Sequence, residues 1–285
     1  MKGIVNLLKP TGMTSSDAVV RIRGILKSKT GNKLKVGHLG TLDPGASGVL
    51  PIAVGRATKL FKLENNNHKC YRAAITFGKA TDTLDSYGKV TKVKDHIPSK
   101  QQFIDALPAF IGNIEQIPPK YSAVNIQGKR AYELARENKE FTIQRRNVII
   151  NNIGFIEQLN EKTFVIDIDC MGGTYIRSLV RDIAASLDSP AYMSFLIRTK
   201  SNDLDLSKSV TLEEFQKNTE LLPVESILKD YIKYDIDTSY KQKLLNGVPI
   251  EINNLPNRDF LVYLENELFA VAHKEGARLI IDIRL

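Results

Sequence analysis

The clearest alternation of hydrophobic and polar positions lies in residues 162–170, KTFVIDIDC. Every second residue from Phe164 to Cys170 is apolar, and Asp167 and Asp169 occupy positions between them. Because successive side chains of a strand point to opposite faces, this pattern predicts a strand with one buried face and one polar face.

A helical pattern follows after the turn MGGTY. In residues 177–187, Leu179 and Ile183 recur at helical spacing, which predicts an amphipathic helix. Tyr175 and Arg177 then stand where a strand is followed by a helix, and side chains at such junctions are well placed to face a cleft. The helix dipole disfavours an arginine in the first turn, so a carboxylate partner would hold Arg177 there; an exposed surface arginine is the alternative.

Apolar spacing elsewhere defines the other elements of the larger part of the chain. Ser15 or Ser16 is placed to cap the first helix. The patterns predict, in chain order, a helix over Ser15–Lys27, a loop over 36–59, a strand over 70–78, a polar turn over 81–88, a helix over 99–112 and a short helix in GKRAYELAR.

The last part of the sequence has a different character. We expect a domain boundary near Tyr234, followed by a short helix in SYKQKLLNG and strands in DFLVYL, LFAVA and RLIIDIR. The tripeptide ENE joins the first two strands as a hairpin. Residues 234–285 therefore form a small, mostly β module.

Composition limits the class of protein. The 285 residues would fill one large domain, or one large and one small, and a hydrophobic content of 42% is ordinary for a globular chain. No apolar run approaches the ~18 residues of a membrane span, and the apolar stretch at the start is too short for a signal peptide. We therefore expect a cytoplasmic protein. The two cysteines and four histidines show no zinc-ligand spacing, so no bound metal is expected.

The net charge of +8 is unevenly distributed. Residues 1–38 carry +7 and residues 118–150 carry +4, whereas residues 235–285 carry −2. A basic segment leading into a glycine-rich turn indicates a polyanionic partner, most simply nucleic acid. A solvated basic face is the alternative, and composition alone does not decide between them. The segment 118–150 is either a surface arm or an ordinary connection.

Turn-forming residues surround a single acid in VGHLGTLDPGASGVLPIAVGRATK. Asp43 is followed by Pro44, and glycines lie on both sides. An Asp-Pro pair can initiate any turn, but glycines also allow an extended ligand to approach the backbone. The phosphate-binding patterns GK[ST] and GxGxxG are absent. Tyr71 and Tyr175 could stack on an unpaired base or pack in the core, and His38 could contact RNA or be structural.

Together these stretches resemble one family, the bacterial tRNA pseudouridine synthase B (TruB) family, over nearly the whole chain. Leu39 stands where the family often has threonine, and FLIRTKSNDLDL is a loose version of its Leu-Arg-Arg-Thr block, in which Leu196 aligns. The matching stretches are GIVNLLKPTGMTSSDAV with Lys9 and Pro10, GHLGTLDPGASGVLPIAVGRATK with the catalytic aspartate, KCYRAAITFGKATDTLDSYG with Tyr71, PPKYSAVNIQGKRAYELAR in the RNA-clasping insertion, and the Tyr-Ile-Arg motif CMGGTYIRSLVRDI.

The resemblance implies a reaction. Uridine 55 in the T loop of elongator tRNAs would be flipped out and isomerised to pseudouridine, without a cofactor. The C1′–N1 bond breaks, the uracil turns, and a C1′–C5 bond forms. Asp43 would be the essential catalytic residue, through attack on the sugar, attack on the base, or removal of a sugar proton. The glycines would let the loop lie against the flipped nucleotide, and Pro44 would fix the direction of Asp43.

The resemblance also implies roles for the other site residues. Tyr71 would stack on the uracil and remove its C5 proton, and Arg177 would hold Asp43 charged and aimed. The remaining expectations are Tyr175 and Leu196 as walls of the uracil pocket, His38 as a support for the opened T loop, Lys129 and Arg130 as RNA contacts of the insertion, and Lys9 and Pro10 as structural supports of the active-site loop.

The implied fold class is α+β. It is the pseudouridine synthase fold, with a central mixed, largely antiparallel sheet flanked by helices. The catalytic domain would cover residues 1–233 with the RNA-clasping insertion at about 118–150, and residues 234–285 would be a PUA-like RNA-binding domain. We expect a monomer that binds the T-arm stem-loop of tRNA, with no obligatory protein partner and no membrane contact.

Two alternatives stay open on the sequence. The first is a pseudouridine synthase that acts on another RNA, such as ribosomal RNA, although the blocks PPKYSAV and GIVNLLKP argue against it. The second is an RNA-binding protein that refolds tRNA without chemistry. A tRNA-folding activity could also accompany the isomerase reaction.

Overall fold

The computed structural model describes residues 1–66 and 68–285, with the backbone alone for residues 64–66. Its strands are β1 (Gly3–Lys9), β2 (Val36–His38), β3 (Ser47–Val54), β4 (His68–Phe77), β5 (Lys79–Thr81), β6 (Val90–Val93), β7 (Gly112–Gln116), β8 (Asn125–Ile126), β9 (Lys129–Arg130), β10 (Arg146–Asn160), β11 (Thr163–Met171), β12 (Ala191–Ser201), β13 (Leu204–Asp205), β14 (Ile232–Asp235), β15 (Ile250–Glu251), β16 (Phe260–Leu264), β17 (Glu267–Glu275) and β18 (Arg278–Arg284).

Six α-helices lie in the described part of the chain, and short 3-10 helices lie between the longer elements. The α-helices are α1 (Ser15–Thr30), α2 (Lys100–Ala106), α3 (Ala131–Arg136), α4 (Ile176–Ser186), α5 (Leu212–Lys217) and α6 (Lys241–Asn246). The 3-10 helices are Gly55–Asn66, Leu107–Phe110, Leu206–Lys208, Val224–Ile227 and Thr238–Tyr240. None of the helices in residues 1–66 and 68–285 combines the length and apolar character needed to cross a membrane.

A nine-stranded sheet forms the centre of the molecule. Its strand order is β1-β3-β12-β4-β11-β10-β7, with β2 paired to β3 and β13 to β12. Only β12 and β3 run parallel, through the pairs Ile197–Ser47 and Arg198–Gly48. The predicted α+β fold with a mixed, largely antiparallel sheet is therefore confirmed.

Helices α1 and α4 pack on this sheet. The apolar face of α1 buries Ala18, Ile22 and Leu26, and that of α4 buries Leu179 and Ile183. Each large aliphatic side chain buried in this way contributes roughly 1.5–3 kcal/mol. These contacts fix α4, and with it the junction between β11 and α4, against the sheet.

The cap of α1 differs from the expected one. Thr14 caps the helix: its hydroxyl accepts a hydrogen bond from the Asp17 amide at 3.0 Å, and the Asp17 carboxylate accepts one from the Thr14 amide at 3.1 Å. The Ser15 hydroxyl instead donates to the Leu42 carbonyl at 2.8 Å and accepts from the Leu42 amide at 2.9 Å. The prediction of a Ser15 or Ser16 cap was wrong, because Ser15 holds the residue before Asp43.

Strand β3 occupies part of the segment that the sequence predicted as one loop. Seven of its eight residues are buried, and the glycine-rich loop proper is confined to residues 39–46. A strand that is buried on both faces shows no alternation of apolar and polar positions, so its pattern resembles that of an apolar loop.

The other strong sequence patterns are confirmed. Strand β11 covers the predicted strand and buries the predicted face, and α4 covers the predicted helix. Strand β4 and helices α1, α2 and α3 likewise lie where the spacing predicted them, although α2 ends at Ala106 and continues as a 3-10 helix.

The segment between β7 and β10 is an arm, residues 118–145, that carries the β8–β9 hairpin and α3. The predicted insertion extended to residue 150. Residues Arg146–Ile150 instead pair with β7 in the central sheet.

A second sheet contains the last strands in the order β14-β16-β17-β18-β15. The predicted hairpin is confirmed: β16 and β17 are joined at Glu265 and Asn266, both with positive φ (53° and 65°), as tight hairpins require. A shared apolar cluster connects this sheet with the central one; it includes Leu261, Val271 and Ile283 from the second sheet and Ile4, Val49 and Ala53 from β1 and β3.

Candidate active site

The loop of residues 39–46 presents Asp43 at the surface of the central sheet. Several contacts hold its backbone: among them, Ser15 bonds to Leu42, the Gly12 amide donates to the Pro44 carbonyl at 2.8 Å, and the Ala46 amide donates to the Asp43 carbonyl at 3.1 Å. The Asp43 side chain remains 37% exposed. A fixed backbone with an accessible carboxylate suits a group that must reach a reacting atom.

Arg177 pairs with Asp43, the carboxylate that the family resemblance implied as its partner. Its Nη2 atom lies 2.9 Å from Asp43 Oδ2, and its side chain is only 5% exposed. The guanidinium also donates to the backbone carbonyls of Thr83 at 3.1 Å and Tyr121 at 3.0 Å. Because a buried arginine held by two backbone carbonyls has few alternative positions, it fixes the direction of the carboxylate.

Asp85 is a second acid at this arginine, and the sequence reasoning missed it. Its Oδ2 atom lies 3.8 Å from Arg177 Nη1, and its side chain is 17% exposed. Its Oδ1 atom accepts hydrogen bonds from the Thr83 hydroxyl at 2.6 Å and the Tyr87 amide at 3.0 Å. The signal was the acid-rich stretch TDTLDSYG, which we interpreted only as a polar turn.

Lys9 lies under the same loop. It is fully buried, and its Nζ donates to the carbonyls of Pro10 at 2.8 Å, Met13 at 2.7 Å and Pro44 at 3.5 Å. Burial lowers the pKa of Lys9 to about 8, an effect that the Asp43 carboxylate opposes and Arg198 increases. These contacts fit the support role expected for Lys9, and the exposed Pro10 supplies one of the carbonyls.

The lowered pKa of Lys9 should make the free energy of unfolding depend on pH. Unfolded lysine keeps its proton to about pH 10.5, whereas folded Lys9 loses it near pH 8. Between these values the unfolded state binds more protons, so this residue adds stability as pH rises through that window; below pH 8 both states are charged and the cost of burial is fully present. Wild type should gain about 1 kcal/mol per pH unit relative to Lys9→Met from pH 8 to pH 10.

Urea unfolding of both proteins at about pH 7.5, 8.5 and 9.5 measures this difference. The methionine keeps the length of the side chain, and the other titrating groups cancel between the two proteins. Equal pH slopes would show that the pKa of Lys9 is not lowered.

Arg198 is a further residue that the sequence reasoning missed. It is fully buried on β12 and donates to three carbonyls, those of Val49 at 2.7 Å, Gly40 at 3.1 Å and Thr41 at 3.3 Å. These bonds attach the loop that carries Asp43 to the central sheet. The signal was an arginine at a position that shares a strand face with Leu196, because a buried guanidinium must find several acceptors.

Tyr71 lies on β4 directly opposite Arg198 of β12. Burial raises the pKa of Tyr71 to about 12, with smaller effects from Arg198, Cys170 and Asp43. At pH 7 such a phenol is ionised in about one molecule in 10⁵. Its side chain is 7% exposed, so a base would stack on this ring only after the covering residues have moved.

The other predicted pocket residues lie near this group. Tyr175 is the N-cap residue of α4, and its amide donates to the buried Gln116 side chain at 2.8 Å. Burial raises the pKa of Tyr175, and Asp43 and Arg177 are among the charges that act on it. Leu196 is 5% exposed in the core cluster that also contains Tyr71 and Leu42.

His38, Lys129 and Arg130 lie on two short strands, β2 and β9. His38 is a half-buried residue of β2, opposite Ile52 of β3. Lys129 and Arg130 form β9 and are exposed. The Arg130 guanidinium donates to the Ala123 carbonyl at 2.6 Å, within the arm. The arm nevertheless reaches the site at its base, where the Tyr121 carbonyl accepts from Arg177.

The glycines around Asp43 have a different use from the expected one. A Cβ at Gly48 would lie 2.2 Å from the Arg198 carbonyl oxygen, and Gly48 has φ of +109°, so glycine is needed for the close approach of β3 and β12. A Cβ at Gly45 would lie 2.3 Å from the Tyr87 ring. The absence of a side chain at both glycines leaves space for protein atoms. These contacts explain the two glycines without the expected approach of a flipped nucleotide.

One group of possible metal ligands lies on the other face of β4, within the described residues. His68, Cys70 and Asp169 place their ligand atoms within 4.8 Å of one another. The sequence spacing did not predict this group, because the register of β4 and β11 brings it together. His68 Nε2 and Asp169 Oδ1 lie 2.5 Å apart, so a hydrogen bond already joins these two residues. Structural zinc sites use four such ligands.

Comparison with known proteins defines the class. The family model described as TruB family pseudouridylate synthase (N terminal domain) matches residues 23–176. The fold resembles a solved Cbf5-Nop10-Gar1 complex at 24% identity and a TM-score of 0.73, over 99% of this chain and 84% of that chain. It also resembles an archaeal box H/ACA sRNP Nop10-Cbf5 complex at 22% identity and a TM-score of 0.70, over 99% and 85%. The class is therefore that of the pseudouridylate synthases.

Curated relatives narrow the class to one family. A tRNA pseudouridine synthase B of Alkaliphilus oremlandii is 41% identical over 96% of this chain and 94% of its own length. The tRNA pseudouridine synthase B of Caldanaerobacter subterraneus is 43% identical over 86% and 85%. The chain belongs to the TruB family of pseudouridylate synthases.

Proposed function

We propose that this chain is a tRNA pseudouridine synthase that isomerises uridine 55 in the T loop of elongator tRNAs, with Asp43 as the essential catalytic residue. The observation that carries the proposal is the Asp43–Arg177 pair: a partly exposed carboxylate held 2.9 Å from a buried guanidinium, in a member of this family. The names of the curated relatives support tRNA, rather than another RNA, as the substrate.

The reaction needs one ionised carboxylate beside the sugar of a flipped uridine. Arg177 holds the Asp43 carboxylate in place, and Asp85 lies beside the same buried arginine as a second acid. Breaking the C1′–N1 bond and forming C1′–C5 moves no electron pair to an external acceptor and no phosphoryl group. Side chains of the types present at this site can therefore carry out the reaction, and no cofactor is part of the proposal.

The surrounding residues would provide the pocket. We assign Tyr71 to the C5 proton, and Arg198 to positioning both Tyr71 and the loop of residues 39–46, which it contacts directly. Tyr175 and Leu196 would enclose the uracil, and His38 would support the opened T loop. Flipping the base costs a few kcal/mol, which stacking and phosphate contacts would offset.

The second sheet supports a division into two domains. We place the catalytic domain at residues 1–233 and a PUA-like RNA-binding domain at residues 234–285, whose sheet begins with β14 at Ile232. The net charge of −2 over residues 235–285 makes it a weaker phosphate-binding surface than the arm. A monomer that acts in the cytoplasm without an obligatory protein partner completes the proposal.

An unmodified T-arm stem-loop RNA tests the proposal directly. Tritium at C5 of the uridine should be released by the protein, because C5 loses its hydrogen when it bonds to C1′. The control RNA carries cytidine in place of the target uridine and tritiated uridine elsewhere in the loop. An absence of tritium release from the first RNA would contradict the proposed activity, and equal release from both would contradict the assigned position.

Binding should depend steeply on salt, because the basic arm would contact phosphates. Reversing Lys129 and Arg130 to glutamate should weaken binding and reduce the slope of log K against log salt by about 1–2, since each lost phosphate contact removes nearly one released counterion. The matched control reverses two exposed lysines of other helices, Lys100 and Lys217. An unchanged slope in the arm variant would show that the arm faces solvent in the complex.

A further inference from the structure

An exposed aromatic ring stands beside the loop that carries Asp43. Tyr87 is 70% exposed, and its ring packs on Gly45, two residues after Asp43. The three atoms nearest to a Cβ at Gly45 all belong to this ring, at 2.3, 2.9 and 3.3 Å. Gly45 is not among the glycines with positive φ, so the ring, and not the backbone, is what requires glycine there.

The turn that carries Tyr87 is rigidly connected to the site. The Tyr87 amide donates to Asp85 Oδ1 at 3.0 Å, and the Arg177 guanidinium holds the Thr83 carbonyl. The Met193 amide of β12 donates to the Leu84 carbonyl at 3.0 Å. A ring held by such a turn loses little conformational freedom when a ligand binds, which favours its use as a binding surface.

The surroundings of the ring suit a nucleic acid. Lys89 and Lys92 follow in the same segment and are exposed. An exposed aromatic face on a segment that also carries exposed basic side chains can bind unpaired bases by stacking and their phosphates by charge. Tyr71 cannot serve this second position, because it is buried on β4.

We propose that Tyr87 is a stacking platform for an unpaired nucleobase of the substrate RNA that neighbours the flipped uridine. This inference rests on the proposed function and adds a second base-binding position outside the pocket of Asp43. The ring contacts the loop one residue beyond Pro44, so a base stacked on it would lie beside the target nucleotide and not in its place.

Steady-state and single-turnover kinetics on the T-arm stem-loop test the inference. Tyr87→Ala should raise KM by about 5–150-fold, the range expected for one lost stack, with little change in the single-turnover rate at saturating enzyme. Tyr87→Phe and Tyr87→Trp should retain wild-type KM, since each keeps an aromatic face. Phe61→Ala, which removes a 53% exposed ring from the 3-10 helix Gly55–Asn66, is the matched control.

Two further comparisons identify the partner and the geometry. The first uses stem-loops from which the base before or the base after the target uridine has been removed. At one of these two positions, removal should raise the KM of wild type and leave the KM of Tyr87→Ala unchanged. Gly45→Ala should raise KM as Tyr87→Ala does, because the new methyl group displaces the ring, and the double variant should equal Tyr87→Ala alone.

The outcomes separate this inference from the proposed function. If wild type converts the stem-loop and Tyr87→Ala does so with unchanged KM, the stacking role is wrong and the proposed function stands. The same holds if Tyr87→Phe loses as much as Tyr87→Ala, or if no single base removal is coupled to Tyr87. A wild-type protein that converts no stem-loop overturns the proposed function, and with it the basis of this inference.

Discussion

Replacing Asp43 by asparagine should reduce pseudouridine formation by more than about 10⁴-fold while tRNA binding stays within a few-fold of wild type. Asparagine has nearly the same shape, so the loop contacts through Ser15 and Lys9 are retained. The buried Arg177 keeps Asp85 as an acidic neighbour at 3.8 Å, so its charge is not left without a counterion. What is lost is the carboxylate that must act on the flipped nucleotide.

Single-turnover tritium release and a filter-binding constant, measured on the same RNA, give the two quantities. Asp105→Asn, which neutralises an exposed acid on α2, is the control for the change of charge. A variant of Asp43 that keeps a tenth of the wild-type rate would remove this residue from the chemistry. The same experiment separates catalysis from tRNA folding: an RNA chaperone activity should survive the substitution, because it depends on binding alone.

Tyr71→Phe should lower the single-turnover rate by about 10²–10⁴-fold and change RNA affinity little. The substitution removes only the hydroxyl, and Arg198 keeps its three carbonyl acceptors. The rearranged base, still carrying its C5 proton, should then accumulate on the protein. Tyr71→Leu should additionally weaken binding, because the aromatic face is lost.

The raised pKa gives this prediction a pH dependence. If the phenolate of Tyr71 takes the C5 proton, the rate of that step should rise about tenfold per pH unit below a pKa of about 12. Tyr71→Phe should not show the rise. Tyr192→Phe, which removes a hydroxyl from β12, is the control. A phenylalanine variant with a near-normal rate would confine Tyr71 to stacking and leave the proton to another acceptor.

The sequence predicted those features of the site that depend on residues close together in the chain. The turn chemistry made Asp43 a candidate, and the place of Arg177 in the first turn of a helix suggested a carboxylate partner. The pairing of these two residues came from the family resemblance. The Thr14 cap shows the limit of such reasoning, since three adjacent hydroxyl residues could cap α1 and only packing selects among them.

Residues that act through backbone contacts were missed for a physical reason. Arg198 is satisfied by carbonyls of residues 40, 41 and 49, and carbonyl positions leave no trace in a side-chain pattern. Asp85, in the turn between β5 and β6, meets Arg177 of α4 only because the fold brings these two elements together. Strand β3 was predicted as loop because burial on both faces removes the alternation by which strands are recognised.

The apolar cluster shared by the two sheets has a consequence for synthesis on the ribosome. Ile4 of β1 packs in the same cluster as Ile283 of β18, and the Lys2 ammonium donates to the Leu268 carbonyl at 3.1 Å. Until residues 261–285 have emerged from the ribosome, they cannot cover this side of β1 and β3. Such long-range closure is slow, and it leaves apolar surface available to chaperones and to other nascent chains. Ribosome pausing before residue 260 would therefore prolong the exposure of this apolar surface.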